Sequence, residues 1–169
     1  MAKAITESTS NRNTYVGVLD LLDRTSITAF AAQWTGPLDV LINNAGVMAI
    51  PDLRRTREGC GMHFATNHLG HFALTLVLHG ALAAVGNVRV VKLVSATHHH
   101  APVDFDDINF ERRAYDPCLA YAQSKTANIL MAVETAKHWA DDGISVNSVH
   151  PGEVLETGLM RHVEVIPDL

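Results

Sequence analysis

The stretch LDVLINNAG, residues 38–46, begins as an apolar run and ends on a turn. Leu38, Val40, Leu41 and Ile42 stand too close together for a strand with one wet face, which would alternate apolar and polar side chains. Gly36-Pro37 stops whatever precedes the run, and Asn44 to Gly46 turn the chain after it. The segment therefore reads as a short buried strand. Three more segments share its character: YVGVLDL (15–21) before it, then NVRVVKLVS (87–95) and ISVNSVHPG (144–152).

Between these runs the apolar spacing turns helical. Ser26 is placed to cap a helix whose stripe is Ile27, Phe30, Ala31 and Trp34. A long helical region is expected over 58–85, bent near Gly70, and another over 119–140 with Ala122, Ile129, Val133 and Ala136 on one side. Residues 96–118 read as a polar excursion. Alternating strands and helices predict an α/β fold, a three-layer Rossmann-like parallel sheet with right-handed crossovers and helices on both faces. One domain over 15–169 is expected, behind a loose polar tail at 1–14.

Composition narrows the function classes. Apolar residues make up 47% and charged residues 18% of the 169, with a net charge of −5, which suits a folded domain and offers no basic face to nucleic acid. Arg54, Arg55 and Arg57 lie beside Glu58 and read as a solvated loop. Cys60 and Cys118 have neither disulfide-framework nor zinc spacing. The start, MAKAITESTSNRNT, lacks the apolar core of a secretory signal. Residues 69–86 come nearest to a membrane span, but His71, Thr75 and His79 interrupt them. A cytoplasmic protein is the expectation.

In open parallel sheets, ligands lie beyond the carboxyl ends of the strands. Asp20, Asn43 to Gly46, Ser95 and Pro151-Gly152 each follow one of the expected strands and so share a rim. Tyr121 and Lys125, in YAQSK (121–125), lie four residues apart on one helix face. An ammonium near a phenol favours phenolate and is expected to lower the tyrosine pKa, readying it to exchange a proton with a carbonyl or alcohol oxygen. Ser95 could bond the same oxygen, and Asn67 could fix a backbone group or a water behind the lysine. His98, His99 and His100 read as an exposed loop, since three adjacent side chains converge poorly on one ion; no metal is expected. Trp34 and Trp139 read as core or half-buried anchors.

NNAG (43–46), TNHLGHF (66–72), YAQSK (121–125), HPG (150–152) and VDFDDINFERRAYDP (103–117), in this order, resemble the short-chain dehydrogenase/reductase family, in its retinol-dehydrogenase-like and WW-domain-oxidoreductase-like branch. The resemblance covers about residues 15–165. It implies hydride transfer between NAD or NADP and an alcohol or carbonyl carbon of a lipophilic small molecule. Tyr121 would be the acid/base, Ser95 would polarise the substrate oxygen, Lys125 would hold the ribose hydroxyls, and Asn67 would support a proton relay. Val94 stands where many relatives carry a first serine, and Ser95 takes the second place. The cofactor would meet Asp20, Asn43, Ala45, Gly46, Tyr121, Lys125, Pro151, Gly152 and Thr157, the last one residue later than the family's pattern. A homodimer through the long helices follows by analogy.

One part of the family's pattern is not found. The TGxxxGxG turn that lets backbone amides approach a pyrophosphate has no match here, and GCG (59–61) follows no strand. The segment at 15–21 resembles the family's third strand, so the expected sheet is truncated, without the first two strands and the last. That segment must then either detach, leaving 38–43 as an edge, or slide in beside it. A sugar-nucleotide epimerase would share YxxxK but calls for a larger substrate domain. The competing reading is a non-catalytic, truncated fragment or partner-binding module.

Overall fold

The computed structural model describes residues 2–152 and 157–162. Three strands, β1 (Val40–Asn43), β2 (Val88–Leu93) and β3 (Ile144–Val149), form a parallel sheet in the order β1-β2-β3. Val40 pairs with Arg89 and Asn43 with Lys92, while Lys92 pairs with Ser148 on the other side. The helices are α1 (Ala2–Thr9), α2 (Arg24–Gln33), α3 (Met62–Phe64), α4 (His71–Val77), α5 (His79–Ala83) and α6 (Pro117–His138). A π-helical segment, Ala65–Gly70, joins α3 to α4. This is a truncated Rossmann-like α/β fold.

The core lies on one side of the sheet. Val88, Val90, Ile144 and Val146 pack against Leu82 and Ala132, with Leu41 and Trp139 closing the edge. A second cluster joins Ile27 of α2 to Leu74 and Leu78, with Leu19 and Leu21 beneath. The opposite face is uncovered among the described residues: Val40 is 48% and Ile42 59% exposed. Helices were expected on both faces; among the described residues they cover one, and the other face of the apolar run 38–42 is open.

Residues 15–21 correct an expectation. They form no strand; Tyr15, Val16 and Val18 are largely exposed. Side chains at the end of the segment hold it to the helices instead. Gly17 lies so close to the Phe30 ring that a Cβ there would collide with it, and Gly70 fits directly against Leu21. Of the two outcomes considered for this segment, detachment from β1 is the one found, and β1 is an edge strand.

Local chemistry accounts for the remaining differences. Asp23, not Ser26, caps α2 by accepting from Thr25 N, while Ser26 Oγ accepts from Asp20 N at 2.9 Å. The polar start contains α1, whose side chains are mostly exposed. Asp116 caps α6 through Cys118 N and Leu119 N, and Pro117 at the first position costs no hydrogen bond there. The excursion before it is organised by Asp107, which accepts from Glu111 N at 2.6 Å and Arg113 N at 3.1 Å. Trp34 is 40% exposed and only its neighbours Phe30 and Ala31 join the packing, whereas Trp139 does anchor the core edge. No described helix is long and apolar enough to cross a membrane.

Candidate active site

Ser95, Asn67, Tyr121 and Lys125 come from three elements that meet beyond the carboxyl end of β2. Tyr121 and Lys125 share the inner face of α6, and each is 4% exposed. Lys125 Nζ donates to the carbonyl oxygen of Leu93, the last residue of β2, at 3.1 Å, and stands 5.4 Å from the Tyr121 ring centroid. Ser95 follows β2 by two residues and caps the short turn Ala96–His100. Its carbonyl receives His98 Nδ1 at 2.7 Å. Thr126, next to Lys125, donates to the Ala101 carbonyl at 2.7 Å and so ties α6 to that turn.

Asn67 lies in the π-helical segment, where the wider winding displaces one residue from ordinary helical register. Its side chain is completely buried. Oδ1 accepts from Val47 N at 2.8 Å, and Nδ2 donates to Val47 O and to Ser124 Oγ, each at 3.0 Å. It therefore joins the loop after β1 to α6. The Asn67 carbonyl receives Asn128 Nδ2 and faces His71 Nδ1, both at 3.0 Å. Gly46 is the meeting point. A Cβ at this position would lie 3.1 Å from Asn67 Oδ1 and 3.8 Å from Lys125 Nζ, so bare backbone is what lets the three approach.

Burial dominates the electrostatics. It pushes the Tyr121 phenol above the usual tyrosine range, with the Ser95 hydroxyl pulling the other way. Burial also draws Lys125 down to about 8. The expectation that Lys125 would lower the tyrosine is therefore corrected: loss of water on burial dominates at Tyr121, and the group that pulls it down is the Ser95 hydroxyl. His63, His68 and His71 are each drawn down to about 4, first of all by burial, and stay neutral in the fold.

The other expected contacts are dispersed. Asn43 is turned into the helix layer, where Nδ2 donates to Thr75 Oγ1 at 3.0 Å, and it faces no open site. Asp20 is exposed in a turn and accepts from Leu22 N. Pro151 and Gly152 are exposed beyond β3, with Gly152 at φ 88°. Thr157 accepts from Leu159 N at 3.3 Å in a separate turn. A groove of about 450 Å³ lies at the opposite strand ends, lined by Asn87, Gly143 and Ile144 among others, away from the four residues.

Several groups escape the sequence reading. Ser124 and Asn128 flank Lys125 on the buried side of α6, and their i+3 and i+7 offsets from Tyr121 were a visible signal. Thr126 and His98 lock the serine turn. His63 accepts from Ile50 N at 3.3 Å, and Tyr115 donates to Ile50 O at 2.7 Å, so the loop after β1 is latched from both sides. Nothing in the spacing links positions 50, 63 and 115.

A family model described as enoyl-(acyl carrier protein) reductase matches residues 1–168. A "Probable oxidoreductase" of Streptomyces antibioticus is 51% identical over 146 residues, covering 86% of this chain and 48% of that protein. Retinol dehydrogenase 13 of Homo sapiens is 41% identical over 167 residues, covering 97% and 50%. The chain thus spans about half the length of the curated relatives it matches. A solved structure from Mycobacterium Paratuberculosis aligns with a TM-score of 0.77 at 36% identity, over 95% of this chain and 58% of that one. The NADPH-bound carbonyl reductase from chicken fatty liver shares the fold, with a TM-score of 0.67 at 20% identity, over 92% and 67%.

Proposed function

The chain belongs to the short-chain dehydrogenase/reductase family, and from that membership we propose that its reaction centre exchanges a hydride between a nicotinamide cofactor, NAD or NADP, and an alcohol or carbonyl carbon. One observation carries the reading: Lys125 Nζ, the Gly46 backbone and the Asn67 side chain converge beside the buried Tyr121. The arrangement fits the ribose and nicotinamide end of such a cofactor. An ammonium has three N–H donors, and Lys125 commits one to Leu93 O, so others can meet ribose hydroxyls over the bare backbone at Gly46. Pyrophosphate finds no matching glycine-rich turn in this sequence. When bound, nicotinamide supplies or accepts the hydride.

The chain's own groups handle the proton. Tyr121, held protonated by burial, gives its proton to a carbonyl oxygen as that oxygen gains electron density, and takes one back from an alcohol in the reverse direction. Ser95 donates a hydrogen bond to the same oxygen. The Lys125 charge stabilises the phenolate once it forms. Asn67 keeps the loop after β1 against α6, which fixes the backbone at Gly46 and Val47 beside Lys125. A phenol that holds its proton near neutral pH favours carbonyl reduction over alcohol oxidation. The names of the retinol dehydrogenases among the relatives support a lipophilic substrate. The exposed apolar residues Phe72, Leu76, Leu130 and Val133 support pairing of α4 and α6 with a second copy.

The test is turnover of NADH and NADPH with aliphatic and aromatic aldehydes and ketones. Tyr121→Phe should lower the rate by about 10²- to 10⁴-fold while leaving the circular dichroism spectrum unchanged. Turnover that survives this change would contradict the assignment of the acid. The open face of β1 favours a second reading, a partner-binding module without catalysis. Tyrosine-dependent turnover refutes it.

A further inference from the structure

Residues 103–116 contribute none of the four side chains of the reaction centre, yet they carry a connected set of contacts. Asp107 accepts from Glu111 N and Arg113 N. The Arg113 guanidinium lies 4.2 Å over the Phe110 ring, and that ring meets Tyr115 edge to face at 5.4 Å. The contacts end on the Tyr115 hydroxyl, which donates to Ile50 O at 2.7 Å. His63 on α3, 3% exposed, takes the other backbone group of Ile50, its Nε2 accepting from Ile50 N at 3.3 Å. One loop residue is thus held at both backbone groups by side chains from two distant segments.

The donors and acceptors fix the direction of these bonds. A backbone N–H only donates, so His63 Nε2 carries no proton and the neutral imidazole holds it on Nδ1. Nδ1 stands 3.4 Å from the Tyr115 hydroxyl, whose own proton goes to Ile50 O. The three bonds close a cycle: Ile50 N to His63, His63 to Tyr115, Tyr115 to Ile50 O. Burial draws His63 down to about 4, which keeps the imidazole neutral as the cycle requires. The loop needs such a hold. Ala49, just before Ile50, has φ 50°, a left-handed conformation that is costly for a residue with a Cβ and persists only where its surroundings fix it. Val47, two residues earlier, is held at both backbone groups by Asn67. Met48 and Ala49 therefore span two fixed points.

We propose that His63 and Tyr115 are positioning residues of the reaction centre: their hydrogen-bond cycle with Ile50 fixes the loop 47–50 beside Tyr121 in the shape that receives the substrate carbonyl. The His63 ring meets the Tyr121 ring edge on, with centroids 6.4 Å apart at 69°, so the group that holds Ile50 also packs against the acid. The earlier part of the loop, Gly46 and Val47, is anchored separately by Asn67. Loosening Ile50 should then harm use of the carbonyl substrate more than binding of the cofactor. That consequence rests on the proposed function, whereas the cycle itself does not.

Nitrogen-15 labelling of the ten histidines reads the cycle directly, with the His63 signals identified by their loss in His63→Gln. At pH 7 His63 should carry its proton on Nδ1 alone. Tyr115→Phe, which keeps the ring against Phe110, should shift that Nδ1 signal and speed hydrogen exchange at the Ile50 amide. With NADPH and benzaldehyde, Tyr115→Phe and His63→Leu should each lower kcat/KM about tenfold, the loss of roughly one well-made hydrogen bond. The NADPH Kd should stay within about twofold, a split that general loosening of the fold would not give. His63→Gln, whose amide oxygen can accept from Ile50 N, should recover most of the kcat/KM that His63→Leu loses. If the His63 variants fail to fold, Tyr115→Phe identifies the signal by its shift and decides alone. The proposal is overturned if His63 carries its proton on Nε2, if Tyr115→Phe leaves kcat/KM unchanged, or if the NADPH Kd rises in step with the loss. If the folded wild type turns over no carbonyl substrate, the proposed function fails with it, while the His63 proton and the Ile50 exchange still decide the cycle.

Discussion

Replacing Asn67 with alanine should loosen the loop that follows β1. The side chain is 0% exposed and makes three hydrogen bonds, at 2.8, 3.0 and 3.0 Å, to Val47 N, Val47 O and Ser124 Oγ. At about 0.5–1.5 kcal/mol net for each, the bonds account for about 3 kcal/mol. Water reaches the partly buried Val47 and offsets some of the further penalty for its stranded backbone groups. A loss of about 3 kcal/mol is a large share of an ordinary domain's 5–15 kcal/mol, and it should lower Tm by about 6–12 °C. Urea unfolding followed by Trp34 and Trp139 fluorescence would measure it, with an unchanged slope showing that the unfolded state is not altered. Asn67→Asp gives a second check. It keeps an acceptor for Val47 N but loses the donors to Val47 O and Ser124 and adds a buried charge, so its deficit should shrink as pH falls and the carboxyl gains a proton. A loss below about 1 kcal/mol for Asn67→Ala would refute the view that this residue ties the loop to α6.

Gly70→Ala should destabilise the fold although alanine is the better helix former. Its Cβ would meet the Leu21 carbonyl oxygen and Cβ, and such overpacking costs about 1–3 kcal/mol against a propensity gain of about 1 kcal/mol. Limited proteolysis should then cut residues 10–22 faster, and a stabilised variant would count against the packing of that segment. The fold should also weaken on mild acidification. His63, His68 and His71 fall from the ordinary 6.5 to about 4 on folding, so between those values the unfolded chain binds protons that the folded chain does not. Stability is then fully present above pH 6.5 and lost as pH falls toward 4, by up to about 3 kcal/mol per ring. Denaturation midpoints that stay flat from pH 7 to 5 would contradict it.

Periodicity carried the alternation of strand and helix, and it found β1, β2, β3 and α6 to within a few residues. It misplaced YVGVLDL because apolar spacing reports only that a segment can pair, not that a neighbour is available. Here Leu21 against Gly70 and Gly17 against Phe30 draw the segment toward helices, and β1 stays an edge. Asp23 outcompetes Ser26 as the α2 cap, a choice of three positions that spacing does not resolve. The grouping of Tyr121 with Lys125 was legible because four residues make a helical turn. Their proton affinities were not, since desolvation depends on neighbours remote in sequence. Asn43 shows the same limit: its place after a strand suggested a ligand contact, but the side chain turns inward to Thr75. Lys92 was hidden inside an apolar run, and its full burial depends on what packs over β2, which spacing does not show.

Binding of NADH and NADPH, followed by nicotinamide fluorescence on wild type and on Lys125→Met, tests the central claim most directly. Saturable binding by the wild type is predicted, weakened at least about tenfold when the ammonium is removed, as expected for a charge-assisted hydrogen bond to the cofactor. Folded wild type that shows no saturation at millimolar cofactor, or equal affinity in the two proteins, would contradict the account.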